Sequence, residues 1–123
     1  YLKNMQIQIT GKNTELSEAI KDYVNKKMLA LNKFYNDKII RADVVVGVSS
    51  DHHLKGKKFF AECKLDVPGK NLFASKQEET LYKAVDKIRD YLELELKKYK
   101  MMQRVKSKDK KASREEKEYK IED

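Results

Sequence analysis

The sequence predicts an α+β domain with the order β-α-β-β-β-α, a four-stranded mixed sheet with both helices packed on one face. Two stretches carry apolar residues at steps of three and four, which is the spacing of amphipathic helices. Other stretches alternate apolar and polar residues, as half-buried strands do. Because each strand has one apolar face and each helix one apolar stripe, two layers bury all of them together.

The first strand is predicted over residues 5–10 and ends at Gly11, and a helix follows it. Thr14 is expected to cap this helix, because its hydroxyl can accept a hydrogen bond from a free N–H of the first turn. The turn pair Asn36 and Asp37 ends the helix. The apolar stripe of the helix consists of Leu16, Ile20, Val24, Met28, Leu31 and Phe34.

Two longer strands are predicted over residues 39–50 and 58–67, and a short one over residues 72–74 after a turn at Pro68. The short connections favour an antiparallel meander, whereas the first helix allows its flanking strands to pair in parallel. Because successive side chains of a strand point to opposite faces, Phe60 and Phe73 are placed on the open sheet face, where they can stack on bases or pack at an edge. The inward set is Ile40, Ala42, Val44, Val46, Val48, Phe59, Ala61, Cys63, Leu65 and Val67.

A long second helix is predicted from Ser75 to Met102. About 25 residues at a rise of 1.5 Å give a rod of roughly 38 Å. Ser75 and Glu78 have the spacing of a capping box, which would start the helix at this point. The apolar stripe consists of Leu81, Val85, Ile88, Leu92, Leu96 and Tyr99.

The predicted domain covers residues 5–102, and residues 103–123 form a charged tail or linker. The tail has eight basic and six acidic residues and few aliphatic ones, so it buries too little surface to offset its ordering entropy. It is interpreted as a frayed helical extension or a disordered segment. If Met5 is the natural first residue, residues 1–4 are a leader or remnant.

The chain carries 28 basic and 20 acidic residues, a formal net charge of +8. This charge favours an anionic partner, with nucleic acid first. No apolar run is long enough to span a membrane, so no membrane partner is expected. The single cysteine, Cys63, excludes an internal disulfide framework and fits a reducing compartment, so we expect a cytoplasmic protein.

The sequence contains no recognisable catalytic apparatus. The four glycines are dispersed and form no phosphate-binding loop. Asp51, His52 and His53 are the only metal candidates, but adjacent side chains rarely converge on one ion. Cys63 has inward parity and is interpreted as a small core residue. We therefore expect no enzyme activity, no metal, no cofactor and no small-molecule substrate.

The basic residues of the two helices are the candidate RNA-binding residues. Two helices side by side on a sheet would present their lysines around a shared ridge and groove, where they can meet phosphates. An ordinary solvated helix surface is the alternative, since acidic residues are interspersed. The predicted RNA-binding set is Lys21, Lys26, Lys27, Lys33, Lys83, Lys87, Lys98 and Lys100.

Several segments resemble the bacterial ribosome hibernation promoting factors, the group that includes the ribosome-associated inhibitor, or factor Y. Residues 5–13 (MQIQITGKN) and 16–24 (LSEAIKDYV) resemble the opening of these proteins. Residues 74–75 (AS), 81–86 (LYKAVD) and 98–100 (KYK) resemble their second helix. The family's fold has the same β-α-β-β-β-α order that the residues predict.

The resemblance implies a translation regulator without catalytic activity. Its partner would be the small ribosomal subunit and its ribosomal RNA, in the channel for messenger and transfer RNA, where it would block translation sterically. Tyr82 and Asp86 match the family's Tyr-x-Ala-Ile-Asp signature, with valine for isoleucine. The positions at which the family also has basic residues are Lys21, Lys27, Lys98 and Lys100.

The chain also departs from the family pattern. Where the family often has Asp-Lys-Leu-x-Arg-Gln, residues 90–95 read DYLELE, so Tyr91 and Leu94 replace basic residues. This indicates a weaker RNA contact or a different partner there. The alternative function is a protein-interaction module whose long helix self-associates or binds a partner, with Leu94, Met101 and Met102 in the contact. The sequence leaves open a short or a long family form, ribosome pairing or silencing of single ribosomes, and the oligomeric state.

Overall fold

A computed structural model of the chain describes residues 5–49 and 58–122, with side chains described in residues 5–49 and 58–106. Its elements confirm the predicted α+β fold and the order β-α-β-β-β-α. They are β1 (Gln6–Lys12), α1 (Glu18–Phe34), β2 (Arg41–Val48), β3 (Phe59–Val67), β4 (Lys70–Glu78) and α2 (Leu81–Glu122).

The four strands form one mixed sheet in the order β1-β2-β3-β4. β1 and β2 are parallel, as the intervening helix α1 allows, and the two later pairs are antiparallel. One row of the register joins Ile9 to Val44, Val44 to Cys63 and Cys63 to Ala74. The apolar positions of neighbouring strands therefore lie side by side on one face of the sheet.

The core lies between that sheet face and the helices. The Sγ of Cys63 in β3 lies 4.0 Å from the Sδ of Met28 in α1, which places α1 over the middle of the sheet. The predicted apolar stripes are largely buried, and residues with 0 to 2% exposure come from strands and helices alike. They include Ile20, Val24, Met28, Leu31, Val44, Val46, Ala61, Leu65, Val85, Ile88 and Leu92.

Both predicted helix caps were wrong. The cap of α1 is Ser17, whose Oγ accepts a hydrogen bond from the N–H of Ile20 at 3.2 Å, rather than Thr14. The cap of α2 is Thr80, whose Oγ1 accepts from the N–H of Lys83 at 3.1 Å, rather than Ser75. In each case the helix begins later along the chain, because β1 and β4 extend beyond their predicted ends.

β4 is much longer than the predicted strand of three residues. It pairs with β3 from Lys70 to Glu78, because β3 offers a backbone partner along its whole length, as far as Phe59 opposite Glu78. The predicted capping box therefore lies within a strand. Ser75 donates a hydrogen bond to the carboxylate of Glu62 at 3.5 Å, across the outer face of the sheet.

One inward assignment was also wrong. Ile40 is 55% exposed and its neighbour Ile39 only 3%, since the regular alternation of β2 begins at Arg41. Phe60 lies on the outer face, as predicted, but it is only 9% exposed and lies opposite Gly47, which has no side chain, so it is packed rather than open for stacking. Phe73 is 60% exposed, as predicted for the open face.

The predicted turn after α1 is confirmed. Asn36 and Asp37 both have positive φ angles, 59° and 57°, which Asn and Asp tolerate better than most residues. Asn32, buried near the end of α1, accepts a hydrogen bond through its Oδ1 from the N–H of Ile39 at 3.0 Å. This contact fixes the return of the chain from the helix to the sheet.

The chain divides into two compact units, Tyr1–Glu93 and Leu94–Asp123, and α2 continues from one into the other. The first unit contains the sheet, α1 and the beginning of α2. The second contains the remainder of α2, which ends at Glu122. The domain boundary at residue 102 and the role of the charged segment 103–123 stay predictions. Among the described residues, no helix is both long and apolar enough to cross a membrane.

Candidate nucleic-acid interface

The outward sides of α1 and of the first part of α2 carry the predicted lysines of the first unit. On α1, Lys26 and Lys33 are seven residues apart, two helical turns, on the side away from buried Val24 and Met28. On α2, Lys83 and Lys87 are four residues apart and exposed. The fold thus gathers Lys21, Lys26, Lys27, Lys33, Lys83 and Lys87 on two helices of one unit.

Some of these lysines have carboxylate partners. The Nζ of Lys21 lies 3.5 Å from Glu18, and that of Lys83 lies 3.6 Å from Glu79. Both pairs are solvent-exposed and local in sequence, the first within α1 and the second across the start of α2, an arrangement that contributes little stability and is screened by salt. Such pairs leave an ammonium group able to exchange its partner for a phosphate.

Lys26, Lys33 and Lys87 differ from these. Among the residues that the structure describes, no carboxylate oxygen lies within 4.0 Å of their ammonium groups. Their positive charge is therefore not locally neutralised, and they are the strongest phosphate-binding candidates among the six predicted lysines of the first unit.

Lys98 and Lys100 belong to the second unit, in the later part of α2. The Nζ of Lys98 lies 3.8 Å from Glu95, one turn earlier on the same helix. Lys100 is half-buried. RNA binding by these two residues, as by the six in the first unit, stays a prediction.

A cluster of four side chains joins α1 to α2, and we call Tyr23, Lys27, Tyr82 and Asp86 the interhelical cluster. The hydroxyl of Tyr23 donates to the Oδ1 of Asp86 at 2.5 Å, and the Nζ of Lys27 lies 3.4 Å from the same oxygen. That ammonium is also 5.2 Å from the centroid of the Tyr23 ring, within cation–π range. The Tyr23 and Tyr82 rings meet edge to face at 4.9 Å and 81°.

The cluster perturbs the titration of Tyr23. The hydrogen bond to Asp86, together with partial desolvation, raises the pKa of the Tyr23 hydroxyl above its ordinary value of 10.0. The hydroxyl thus stays protonated, and stays a donor to Asp86, across the physiological range.

Three members of this cluster could be picked out from the sequence, Lys27 as a basic residue and Tyr82 and Asp86 as a signature pair, but Tyr23 and the contact itself could not. Tyr23 and Lys27 are four residues apart on α1, and Tyr82 and Asp86 are four apart on α2. Each pair thus occupies one helix face, a pattern that is visible in the sequence. That the two faces meet depends on how the helices are placed on the sheet.

The outer face of the sheet is polar and internally bonded. Arg41 donates through Nε to Asp43 of the same strand at 2.8 Å, and through Nη2 to Gln8 of the neighbouring strand β1 at 2.5 Å. A shallow depression of about 190 Å³ includes Phe60 and Glu62 in its lining. This face therefore presents mixed charges rather than a lysine surface.

The residues considered for metal or nucleophilic chemistry add no site. In the described part of the chain, no group of three or more His, Cys, Asp or Glu side chains is placed to hold a metal ion. Asp51, His52 and His53 lie outside the described residues. Cys63 is buried, as predicted, and this burial raises the pKa of its thiol to about 12.

Comparison with known proteins agrees with this architecture. The family model described as sigma 54 modulation protein / S30EA ribosomal protein matches residues 7–104. The chain belongs to this family, and the predicted relationship to the ribosome hibernation promoting factors is confirmed.

Individual relatives give the extent of the similarity. The chain is 36% identical over 97 residues to the ribosome hibernation promotion factor of Deinococcus radiodurans, covering 78% of this chain and 50% of that protein. It is 32% identical over 99 residues to the ribosome hibernation promoting factor of Pseudomonas putida, covering 80% of this chain and 90% of the relative. The chain thus spans half the length of the first relative and most of the second.

Two solved structures share the fold. The N-terminal domain of Thermus thermophilus Protein Y has a TM-score of 0.63 and 32% identity, and the match covers 79% of this chain and 99% of that domain. A ribosomal subunit interface protein from Coxiella burnetii has a TM-score of 0.65 and 26% identity, and the match again covers 79% and 99%.

Proposed function

We propose that this chain is a ribosome-binding hibernation factor that inhibits translation by occupying the small subunit. It binds ribosomal RNA in the channel for messenger and transfer RNA and excludes both ligands sterically, in the cytoplasm and without catalysis. The observation that carries the proposal is the family match over residues 7–104, which contains all eight predicted lysines. Two relatives that are covered by this match over most of their own length are named ribosome hibernation promoting factors.

The charge distribution supports RNA rather than protein as the first contact. Lys26, Lys33 and Lys87 present ammonium groups without a carboxylate neighbour among the described residues, and they stand on helices of the same unit. Each ammonium that meets a phosphate releases a counterion, so binding of this kind weakens steeply with added salt. Steric exclusion needs only such binding and a rigid domain, so no reacting group is required.

The test is co-sedimentation with purified small subunits over a salt series, together with inhibition of cell-free translation. We compare the double variant Lys26→Gln/Lys87→Gln with the matched control Lys64→Gln/Lys70→Gln, which removes equal charge from β3 and β4. Loss of two phosphate contacts should reduce the slope of log K against log salt by about 1.4 to 1.8. The control should keep the slope and the translation inhibition of the unsubstituted protein.

Two results would reject the proposal. Failure of the unsubstituted protein to sediment with ribosomes at low salt removes ribosome binding itself. Equal weakening by both double variants shows that the net charge of the chain, and not the surface of the two helices, carries the attraction.

A specific observation also favours the alternative, an interaction module. In the second unit, Leu94, Met101 and Val105 are 52%, 59% and 57% exposed, and their spacing of seven and four places them on one face of α2. Apolar contact through this face would make self-association persist at high salt, unlike RNA binding. Sedimentation velocity at high salt, with Leu94→Gln for comparison, distinguishes apolar self-association from RNA binding. If the protein is a monomer under all conditions, the self-association form of this alternative is rejected.

A further inference from the structure

We propose that Asp86 is a positioning residue for RNA binding, which holds Lys27 in the seam between α1 and α2 as a preset donor to a backbone phosphate. This inference rests on the proposed ribosome binding and adds a specific contact to it. It gives a favourable role to a carboxylate on a surface where phosphates are expected to bind.

The geometry of the interhelical cluster carries the argument. One oxygen of Asp86 faces both the Tyr23 hydroxyl, at 2.5 Å, and the Lys27 ammonium, at 3.4 Å. The Tyr23 ring lies beneath the same ammonium, at 5.2 Å. A lysine side chain normally samples many rotamers, and here two independent contacts from α1 and α2 restrict it.

The restrained ammonium keeps capacity for a ligand. It carries three N–H donors, and its ion pair with a single oxygen of Asp86 does not use all of them, so donor capacity remains for phosphate oxygens. The Lys27 side chain is 30% exposed and that of Asp86 43%, so the seam is open to solvent and to RNA. The Tyr82 side of the cluster is exposed too, at 42% for the residue, and widens the accessible surface.

This assignment reverses the expectation from charge alone. Removing a carboxylate from an RNA-binding surface adds one unit of positive charge, which by itself should tighten binding. If Asp86 instead positions Lys27, its removal frees the lysine side chain, and binding must immobilise it again. The sign of the change in affinity therefore decides between the two.

The experiment measures the affinity of Asp86→Asn for purified small subunits at a fixed salt concentration. The amide can still accept the Tyr23 hydrogen bond, but it offers no charge to Lys27. We expect affinity to fall by about 2- to 10-fold, the range for immobilising one rotamer-rich side chain. The matched control is Asp90→Asn, one turn later on α2, whose carboxylate pairs with Arg89 at 3.1 Å; its affinity should stay unchanged or rise.

A double-mutant cycle separates positioning from general support of the fold. In a Lys27→Gln background, Asp86→Asn should cause no further loss of affinity, because the residue that it positions is gone. An equal loss in both backgrounds would mean that Asp86 only supports the structure and would overturn the inference. Tighter binding by Asp86→Asn would overturn it as well, leaving the proposed function intact. Absence of binding by the unsubstituted protein would reject the proposed function itself.

Discussion

Asn32 offers a direct test of how the return from α1 to β2 is stabilised. Its Oδ1 accepts a hydrogen bond from the N–H of Ile39 at 3.0 Å, in a buried environment, and the Asn32 side chain is almost fully covered. Substitution Asn32→Leu keeps a similar volume but leaves that N–H without its acceptor. An unsatisfied buried donor costs about 1–3 kcal/mol, so we expect a loss of about 2 kcal/mol in the free energy of unfolding.

Urea unfolding measures this loss. With an m-value of about 1–3 kcal/mol per molar, the midpoint should fall by roughly 0.7 to 2 M at constant m. Asn25→Leu is the matched control, since Asn25 lies on the same helix, half-buried, and makes no hydrogen bond within the described structure that could be lost. Because this change leaves no buried donor or acceptor without its partner, we expect it to cost only about 0.5 kcal/mol. Equal midpoints for the two variants would refute the assignment of Asn32 as the acceptor that fixes the turn.

Three further predictions concern the buried thiol of Cys63 and the close approach of two strands at Gly47. Because burial raises the pKa of Cys63 to about 12 from 9.0, the native thiol should resist a disulfide reagent near neutral pH, and react only on unfolding; rapid native reaction would contradict this. Since the neutral thiol is favoured in the folded state, its contribution to the free energy of unfolding should be complete below pH 9.0 and should decline as the pH rises towards about 12. The variant Cys63→Ala should not show this decline. At Gly47, a Cβ would lie 2.1 Å from the carbonyl oxygen of Lys12. Gly47→Ala should therefore destabilise the β1–β2 pair by about 1–3 kcal/mol, measured by urea unfolding. An unchanged unfolding midpoint would show that the two strands separate easily.

Local pattern was sufficient for the existence and type of every helix and strand. The steps of three and four in both helices, and the alternation in β2 and β3, were confirmed because one-sided burial imposes these periods directly on the sequence. Boundaries were predicted less well. Ser75 and Glu78 fit a helix cap, but β3 continues opposite them and pairs with them as a strand. A backbone partner from a distant segment thus overrode a local preference.

For the candidate site, the sequence supplied the lysines but not their environment. Lys26 and Lys21 look alike in the chain, yet Lys21 has a carboxylate at 3.5 Å and Lys26 has none within 4.0 Å among the described residues. The bonds from Tyr23 and Lys27 to Asp86 join residues about 60 positions apart. No local sequence pattern indicates a contact over such a separation, because the distance between the two helices is set by the sheet on which they pack.

The sequence by itself determined the fold class, the positive charge and the family resemblance, since periodicity, composition and ordered motifs are properties of the chain. Only the tertiary structure decided which lysines are neutralised, where β4 ends and that one carboxylate serves both helices. These outcomes depend on distances between segments remote in sequence, and those distances exist only once the sheet has aligned the strands and carried the helices with it.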